Sequence, residues 1–272
     1  MLDDLTSLAD ALDTVMVGRA HRHLEATEST NDDAAAWLAD GGPSGLLVTA
    51  DRQTAGRGRL GRAWSSAIPE DIYASVGFRC RPPPRELGAV SLAAGVGIRA
   101  GLIAAASSLE DALSLKWPND LLLSGKKVAG ILCEARWQGD CVELVIGFGI
   151  NVGRTHFDGP LEQIATSLAR ALDGPAPTRG RVLAPVLASL ERSCAEYFEG
   201  GFAAVEAAYT PHCVTLGAEV TVPVTRPDGS EARIHARALS LAKDGALMVR
   251  SLGGGAPFRV DQADVWLVPS RA

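Results

Sequence analysis

Apolar and polar residues alternate along this chain with a period that changes several times, and each change marks an element. Leu2, Leu5, Leu8 and Leu12, followed by Val15 or Met16, recur at helical spacing and predict a short amphipathic helix over 2–16. A strand-like segment follows around His21 to Ala26. Ser29-Thr30-Asn31-Asp32-Asp33 then supplies cap candidates and first-turn acids ahead of AAAWLAD, so a helix is expected over about 31–39, stopped by Gly41-Gly42-Pro43. GLLVTAD reads as a compact strand, the glycine-arginine stretch after it as a loop, and DIYASVGF as a second strand. A small-residue helix fits 85–106, beyond the prolines at 82–84.

LSLKW, LLL, KVAGILCEARW and CVELVIGFGINV come next in quick succession, with tight turns at Ser124-Gly125 and Gly139-Asp140. Helical patterns resume at 161–172 and 178–199. A meander of strands with helices set around it is α+β organisation, not regular α/β alternation. From Val214 onward short strands are separated by Pro227-Asp228-Gly229, Lys243-Asp244-Gly245 and Gly253-Gly254-Gly255, the pattern of a small β-barrel. A boundary near Pro211 divides the chain into a large domain, 1–211, and a small one, 212–272.

Composition narrows the function classes. With 272 residues, 47% of them hydrophobic, the chain can bury a substantial core. A net charge of -6 and a pI near 5.4 argue against coating nucleic acid or anionic membrane. The five cysteines (Cys80, Cys133, Cys141, Cys194, Cys213) form no C-x-x-C pair, so neither a disulfide framework nor zinc is indicated, and a reducing cytoplasm fits. His21 and His23 share a strand face without a third ligand, so no structural metal is assigned. The acidic N-terminus lacks signal-peptide order, and Arg99 interrupts the apolar stretch at 89–106. The expectation is a soluble, cytoplasmic protein. One helix before the first strand leaves no room for a recognition helix, so specific DNA binding is not expected.

Residues 56–64, GRGRLGRAW, contain the spelling G-x-G-x-x-G. A dinucleotide fold needs a helix directly after the glycines and an acid about 20 residues further on, and neither follows here. Charge is more informative: from Asp51 to Ala63, Arg52, Arg57, Arg59 and Arg62 stand against one acid in an acidic chain. Repulsion among them, with glycine freedom, predicts a loop that is mobile when empty and orders around an anion. There is no G-x-S-x-G and no Cys-His pairing, so a covalent acyl-enzyme is not indicated.

Ser29-Thr30-Asn31, Gln53 with Gly56-Arg57-Gly58-Arg59-Leu60-Gly61-Arg62 and Trp64, Lys116-Trp117-Pro118-Asn119-Asp120, Lys127-Val128-Ala129-Gly130-Ile131-Leu132 and Gly147-Phe148-Gly149-Ile150-Asn151-Val152 resemble, in order and spacing, the signature blocks of biotin protein ligases. The match spans about residues 25–153. It implies a mixed, mainly antiparallel sheet flanked by helices, like that of class II synthetases, and a C-terminal β-barrel of SH3-like type. It also implies ATP- and Mg2+-dependent activation of biotin to biotinyl-5′-adenylate, then transfer to a lysine of a biotin carboxyl carrier protein. The chain looks like the family's short class, without the N-terminal DNA-binding domain; Leu60 departs from the basic residue common in relatives.

The resemblance carries over residue roles. Lys127, Arg59 and Asp120 are the catalytic candidates. Ser29, Thr30, Asn31, Gln53, Arg57, Gly58, Arg59, Trp64 and Lys127 fall to biotin. Gly56, Arg57, Arg59, Arg62, Lys116, Asn119, Asp120 and Asn151 fall to the nucleotide. Several keep two readings: Asp120 as metal contact or lysine orienter, Ser29-Thr30-Asn31 as helix cap or contact for the urea head, Trp64 as pocket cover or packing, Asn151 as nucleotide contact or turn cap. A lipoate-type ligase is the closest rival. A nucleic-acid binder using the basic loop is the rival from another class.

Overall fold

The structure, a computed structural model, describes residues 4–66, 68–80, 87–172, 174–225, 230–261 and 266–267. Its main sheet is built from His21–Leu24 (β1), Leu46–Ala50 (β2), Ile72–Cys80 (β3), Leu113–Lys116 (β4), Asp120–Leu123 (β5), Lys126–Gln138 (β6) and Cys141–Ile150 (β7). The order is β1-β2-β3-β7-β6-β5-β4. Only β1 and β2 pair in parallel; every other neighbour is antiparallel. β7 is central and buried at every residue, as its near-continuous apolar run requires.

Thr30–Ala39 (α1) packs on β2, β3 and β7 through Ala34 and Leu38. Val90–Ala105 (α2) and Arg179–Gly200 (α5) cross on the main core, with Phe202–Tyr209 (α6) beside them; between them in sequence lie the one-turn helices Leu161–Ile164 (α3) and Leu168–Ala171 (α4). The stretch Leu87–Ala105 is long and apolar enough to cross a membrane, but it packs against α5. Arg99, the residue that interrupts its apolar run, is buried and donates to the carbonyls of Leu113 (3.0 Å) and Glu110 (3.1 Å).

The helix pair closes because α2 carries glycines where α5 approaches. A Cβ on Gly101 would lie 2.3 Å from Val186 Cα, and one on Gly97 2.7 Å from Leu190 Cα. Both obstacles are backbone, so no rotamer change relieves them.

Glu219–Thr225 (β8), Glu231–Leu241 (β9), Leu247–Ser251 (β10), Phe258–Val260 (β11) and Trp266–Leu267 (β12) form a second, five-stranded antiparallel sheet, ordered β11-β10-β9-β8-β12, of the expected SH3-like kind. It is joined to the first at the end of β4. Leu115 bridges to Cys213, Val214 N donates to Leu115 O (2.9 Å), and buried Trp117 donates from Nε1 to Gly245 O (3.0 Å).

Two sequence expectations need correction. The N-terminal element is the 3-10 helix Asp4–Ala11, not an α-helix over 2–16. Leu5 and Leu8, three apart, stack on one face of a three-residue turn and are buried. Val15 and Met16 are exposed; their amides and that of Val17 are held by Glu191. The helix read over 161–172 is interrupted at Ala165–Ser167, where Ala165 bridges to Lys127 and the Ser167 side chain caps α4. The prolines at 82–84, the start of the 85–106 helix, Leu2 and the Pro227-Asp228-Gly229 turn lie outside the described residues.

Gly101→Ala should force the α2–α5 pair apart at about 2 kcal/mol, an overpacking cost, and lower the melting temperature by about 5 °C, as calorimetry would show. Gly88→Ala, where a Cβ meets nothing within 4 Å, is the matched control.

Candidate active site

The cleft begins on a floor without side chains. Gly130 of β6 faces Gly149 of β7 across the ladder, and Gly147 lies two residues further along β7 on the same face. A Cβ on Gly149 would stand 2.5 Å from Trp64 Nε1, and one on Gly130 would stand 2.8 Å from Trp64 Cζ3, so the indole lies directly on the paired glycines. A Cβ on Gly147 would lie 1.9 Å from Asn31 Oδ1. Glycine in a strand marks a close approach of this kind.

On that floor the start of α1 is held by a dense polar network. Asn31 Nδ2 donates to Glu134 Oε2 (2.6 Å), and its Oδ1 accepts from Ser75 Oγ (2.6 Å), which also lies 2.8 Å from Thr30 Oγ1. Gln53 Oε1 accepts from Thr30 N (2.9 Å), and Gln53 Nε2 donates to Ser66 Oγ (3.2 Å). Ser29 occupies the N-cap with extended backbone, yet its hydroxyl makes no capping bond. These orientations are fixed before any ligand enters.

GRGRLGRAW is a closed hairpin. Gly58 N donates to Arg62 O (2.7 Å), Trp64 N donates to Gly56 O (2.8 Å), and Arg57 pairs with Ala63. Its tip is a single 3-10 turn, Arg59–Gly61, with Leu60 and Gly61 in left-handed backbone (φ 55 and 71) and Leu60 71% exposed. The stretch expected to be mobile when empty is drawn here into a hairpin in which one charge meets an acid: the Arg57 guanidinium forks onto Asp32 (2.6 and 2.7 Å). That contact, chiefly by hydrogen bonding, holds the Asp32 carboxyl below its ordinary range. Arg59 runs toward β6; burial pushes the Cys133 thiol up to about 12, and the nearby Arg59 charge opposes the shift.

Opposite stands Asp120 between two lysines, with Lys127 Nζ at 2.5 Å and Lys116 Nζ at 3.6 Å. The Trp117–Pro118 peptide that precedes this turn is cis. Asn119 donates to Ile131 O (2.7 Å), and buried Asn151 donates to Thr166 O (2.9 Å), tying β7 to the wall formed by Phe157, Leu161 and Ile164. Lys127 Nζ lies 5.1 Å from the Trp64 ring centre.

The cleft volume is about 690 Å³, within the range of small-molecule sites. Every residue that the resemblance assigns to biotin or the nucleotide lines it except Gly56. Gly56 is buried behind the hairpin, where a Cβ would lie 2.4 Å from Ser66 Oγ. Asp120 is the only acid among the described lining residues, so bound anions would face cations and amides.

A scan against family models matches residues 24–151 to the biotin/lipoate A/B protein ligase family. The bifunctional ligase/repressor BirA of Bacillus spizizenii is 32% identical over 246 residues, covering 89% of this chain and 73% of its own length. The biotin–(acetyl-CoA-carboxylase) ligase of Mycobacterium tuberculosis is 34% identical, covering 84% and 83%. The solved biotin protein ligase from Aquifex aeolicus in complex with biotin and ATP aligns with a TM-score of 0.75 at 28% identity, over 93% of this chain and 100% of that one. The chain belongs to the biotin protein ligase family.

Sequence reasoning missed a second polar centre of this biotin protein ligase. Arg154 is buried in the cleft wall; its Nε donates to Asp71 Oδ2 (2.9 Å), and its outer nitrogens donate to Ser65 Oγ (3.1 Å), Ser65 O (3.0 Å) and the Tyr73 hydroxyl (3.2 Å). Asp71 Oδ1 also accepts from Val152 N (2.8 Å). The centre joins the foot of the arginine hairpin to the exit of β7. No local motif announces it, since Asp71 and Arg154 are far apart in sequence. His21 and His23 share the Thr49 hydroxyl (2.8 and 2.9 Å), and His23 faces Asp51 (3.3 Å), so their common face serves a hydrogen-bond network.

Burial raises the Asp71 carboxyl above its ordinary value of 3.8, and the Arg154 guanidinium works against the rise. Without that guanidinium the folded protein would bind the Asp71 proton still more tightly than the unfolded chain does. Stability would then fall as pH rises through the folded-state value. Arg154→Met should cost about 3–5 kcal/mol near neutral pH. Part of this should return on acidification toward about pH 5, with a much smaller return in the unaltered protein, as urea titrations at both pH values would read.

Proposed function

We propose that this cleft joins biotin to ATP and then passes the biotinyl group to one lysine of a biotin carboxyl carrier protein, such as that of acetyl-CoA carboxylase. The supporting observation is the convergence of Lys116, Lys127, Arg59 and Arg62 with Ser29, Thr30, Asn31 and Gln53 in one cleft over a glycine floor. A carboxylate and a triphosphate repel, so cations must hold them together, while an apolar fused ring with a urea head needs flat packing and a few fixed hydrogen-bonding groups.

In the first step a biotin carboxylate oxygen bonds to the α-phosphorus and the bond to the bridging β-phosphate oxygen breaks, releasing pyrophosphate. In the second the carrier lysine attacks the acyl carbon, AMP leaves and a proton is released. Lys127 and Lys116 offset charge on the carboxylate and phosphates when they exchange Asp120 for the ligand. Arg57, Gly58, Arg59 and Arg62 form the cover that keeps water from the adenylate. Trp64 lies over the paired glycines; its buried Nε1 has no partner among the described residues, which suits a ligand acceptor. Asn119 and Asn151 line the nucleotide side, and Asp120, freed from Lys127, orients the incoming lysine.

The donor set does not fit a divalent ion held by protein alone, because Asp120 already faces two lysines. Magnesium would arrive on the nucleotide's own phosphates. We place the site in a catalytic unit ending near residue 211, with the unit 212–272 contributing Leu267 to the cleft rim. The five free cysteines fit a reducing cytoplasm.

Purified protein should release pyrophosphate from ATP when given biotin, and biotinyl-5′-adenylate should be isolable before a carrier domain is added. Pyrophosphate release with lipoate and none with biotin would overturn the assignment. Lys127→Gln should slow adenylate formation by about a hundredfold, as loss of one charge-stabilising donor does, measured in single turnovers. Arg59→Gly should instead leave adenylate forming but let it escape, so that bystander proteins become biotinylated.

A further inference from the structure

Arg57 is engaged differently from the lysines of the site. Its acidic partners, Asp32 in the first turn of α1 and Glu134 on β6, lie outside the cleft lining. Asp32 takes both outer nitrogens (2.6 and 2.7 Å), and Glu134 Oε1 stands 3.8 Å away on the other strand of approach. Glu134 Oε2 meanwhile accepts from Asn31, a cleft residue (2.6 Å). Two carboxylates from separate elements therefore grip one guanidinium at the outer edge of the hairpin.

We propose that Asp32, seconded by Glu134, is a positioning residue that latches the arginine hairpin shut over the intermediate by holding Arg57. The inference rests on the adenylate-forming reading given above. The foot of the hairpin is tied by Ala55 N to Glu28 O (3.0 Å), and the Arg57 fork is the anchor one step further out. A forked guanidinium–carboxylate pair fixes orientation as well as distance. All three side chains are about half exposed, so the latch is weak and screened by salt. A cover that must open for the carrier lysine and for AMP in every turnover requires such weakness.

Asp32→Asn and Glu134→Gln test this; the second keeps an acceptor for Asn31, and exposure makes both variants tolerable to the fold. The half-life of the isolated enzyme–adenylate complex at low salt should fall about fivefold in Asp32→Asn, the upper range for such a pair, and less in Glu134→Gln. The rate of adenylate formation at saturating substrates should stay within about twofold, which a general loss of structure would not allow. In an Arg57→Lys background, Asp32→Asn should add little. Without ligand, trypsin should cut after Arg59 and Arg62 about fivefold faster in Asp32→Asn.

An unchanged or longer adenylate half-life together with unchanged trypsin cleavage would overturn the latch. If the unaltered protein forms no adenylate, the adenylate-forming reading falls instead, and the trypsin comparison still decides whether Asp32 holds the hairpin.

Discussion

Everything in the site depends on three positions where β6 and β7 carry no side chain. Gly130, Gly147 and Gly149 let the Trp64 ring and the Asn31 amide lie on the sheet itself. Any larger residue would lift the hairpin and the start of α1 away from the strands. Ser29, Thr30 and Asn31 would then lose their place beside Gln53, and the cover formed by 56–64 would lose its seat. A flat floor is thus the condition for the cleft in a sheet whose central strand otherwise carries mainly bulky apolar residues.

The charges follow one scheme. Four cations at the cleft are met by acids of the chain: Arg57 by Asp32 and Glu134, Lys127 and Lys116 by Asp120, Arg154 by Asp71. This is how a site suited to anions persists in a chain of net charge -6. The pairing of Lys127 and Lys116 with Asp120 lies in the cleft, where a ligand's carboxylate or phosphate can replace the acid, while that of Arg57 lies at its outer edge. The third, Asp71–Arg154, is buried and fully hydrogen-bonded, so it holds shape and does not exchange.

The second sheet lends Leu267 to the cleft, and the chain next to its strands is bonded to the site through Trp117. Trp117 sits between Lys116 and the Pro118-Asn119-Asp120 turn, and both its amide and its indole nitrogen donate to the chain around the second sheet, at Thr215 and Gly245. Gly245 in turn packs on Ala89 and Leu92 of the helical layer. The orientation of Lys116 and Asp120 is therefore set by three separate parts of the chain.

Much of this was legible in the chain itself. The α+β class, the meander from 113 to 152 and the arginine-rich stretch rest on near-neighbour patterns of period, turn chemistry and charge, which a linear reading preserves, while the site residues came from the resemblance of five ordered blocks to biotin protein ligases. What folding alone decided is which distant residues meet. Cross-strand register sets Gly130 opposite Gly149 and so seats Trp64. Packing brings Asp71 to Arg154 and Asp32 to Arg57, the second of which offsets one charge of an arginine stretch expected to repel itself. Repulsion was a fair inference from local charge; the compensating acids lie on other elements, and only the tertiary structure brings them within reach.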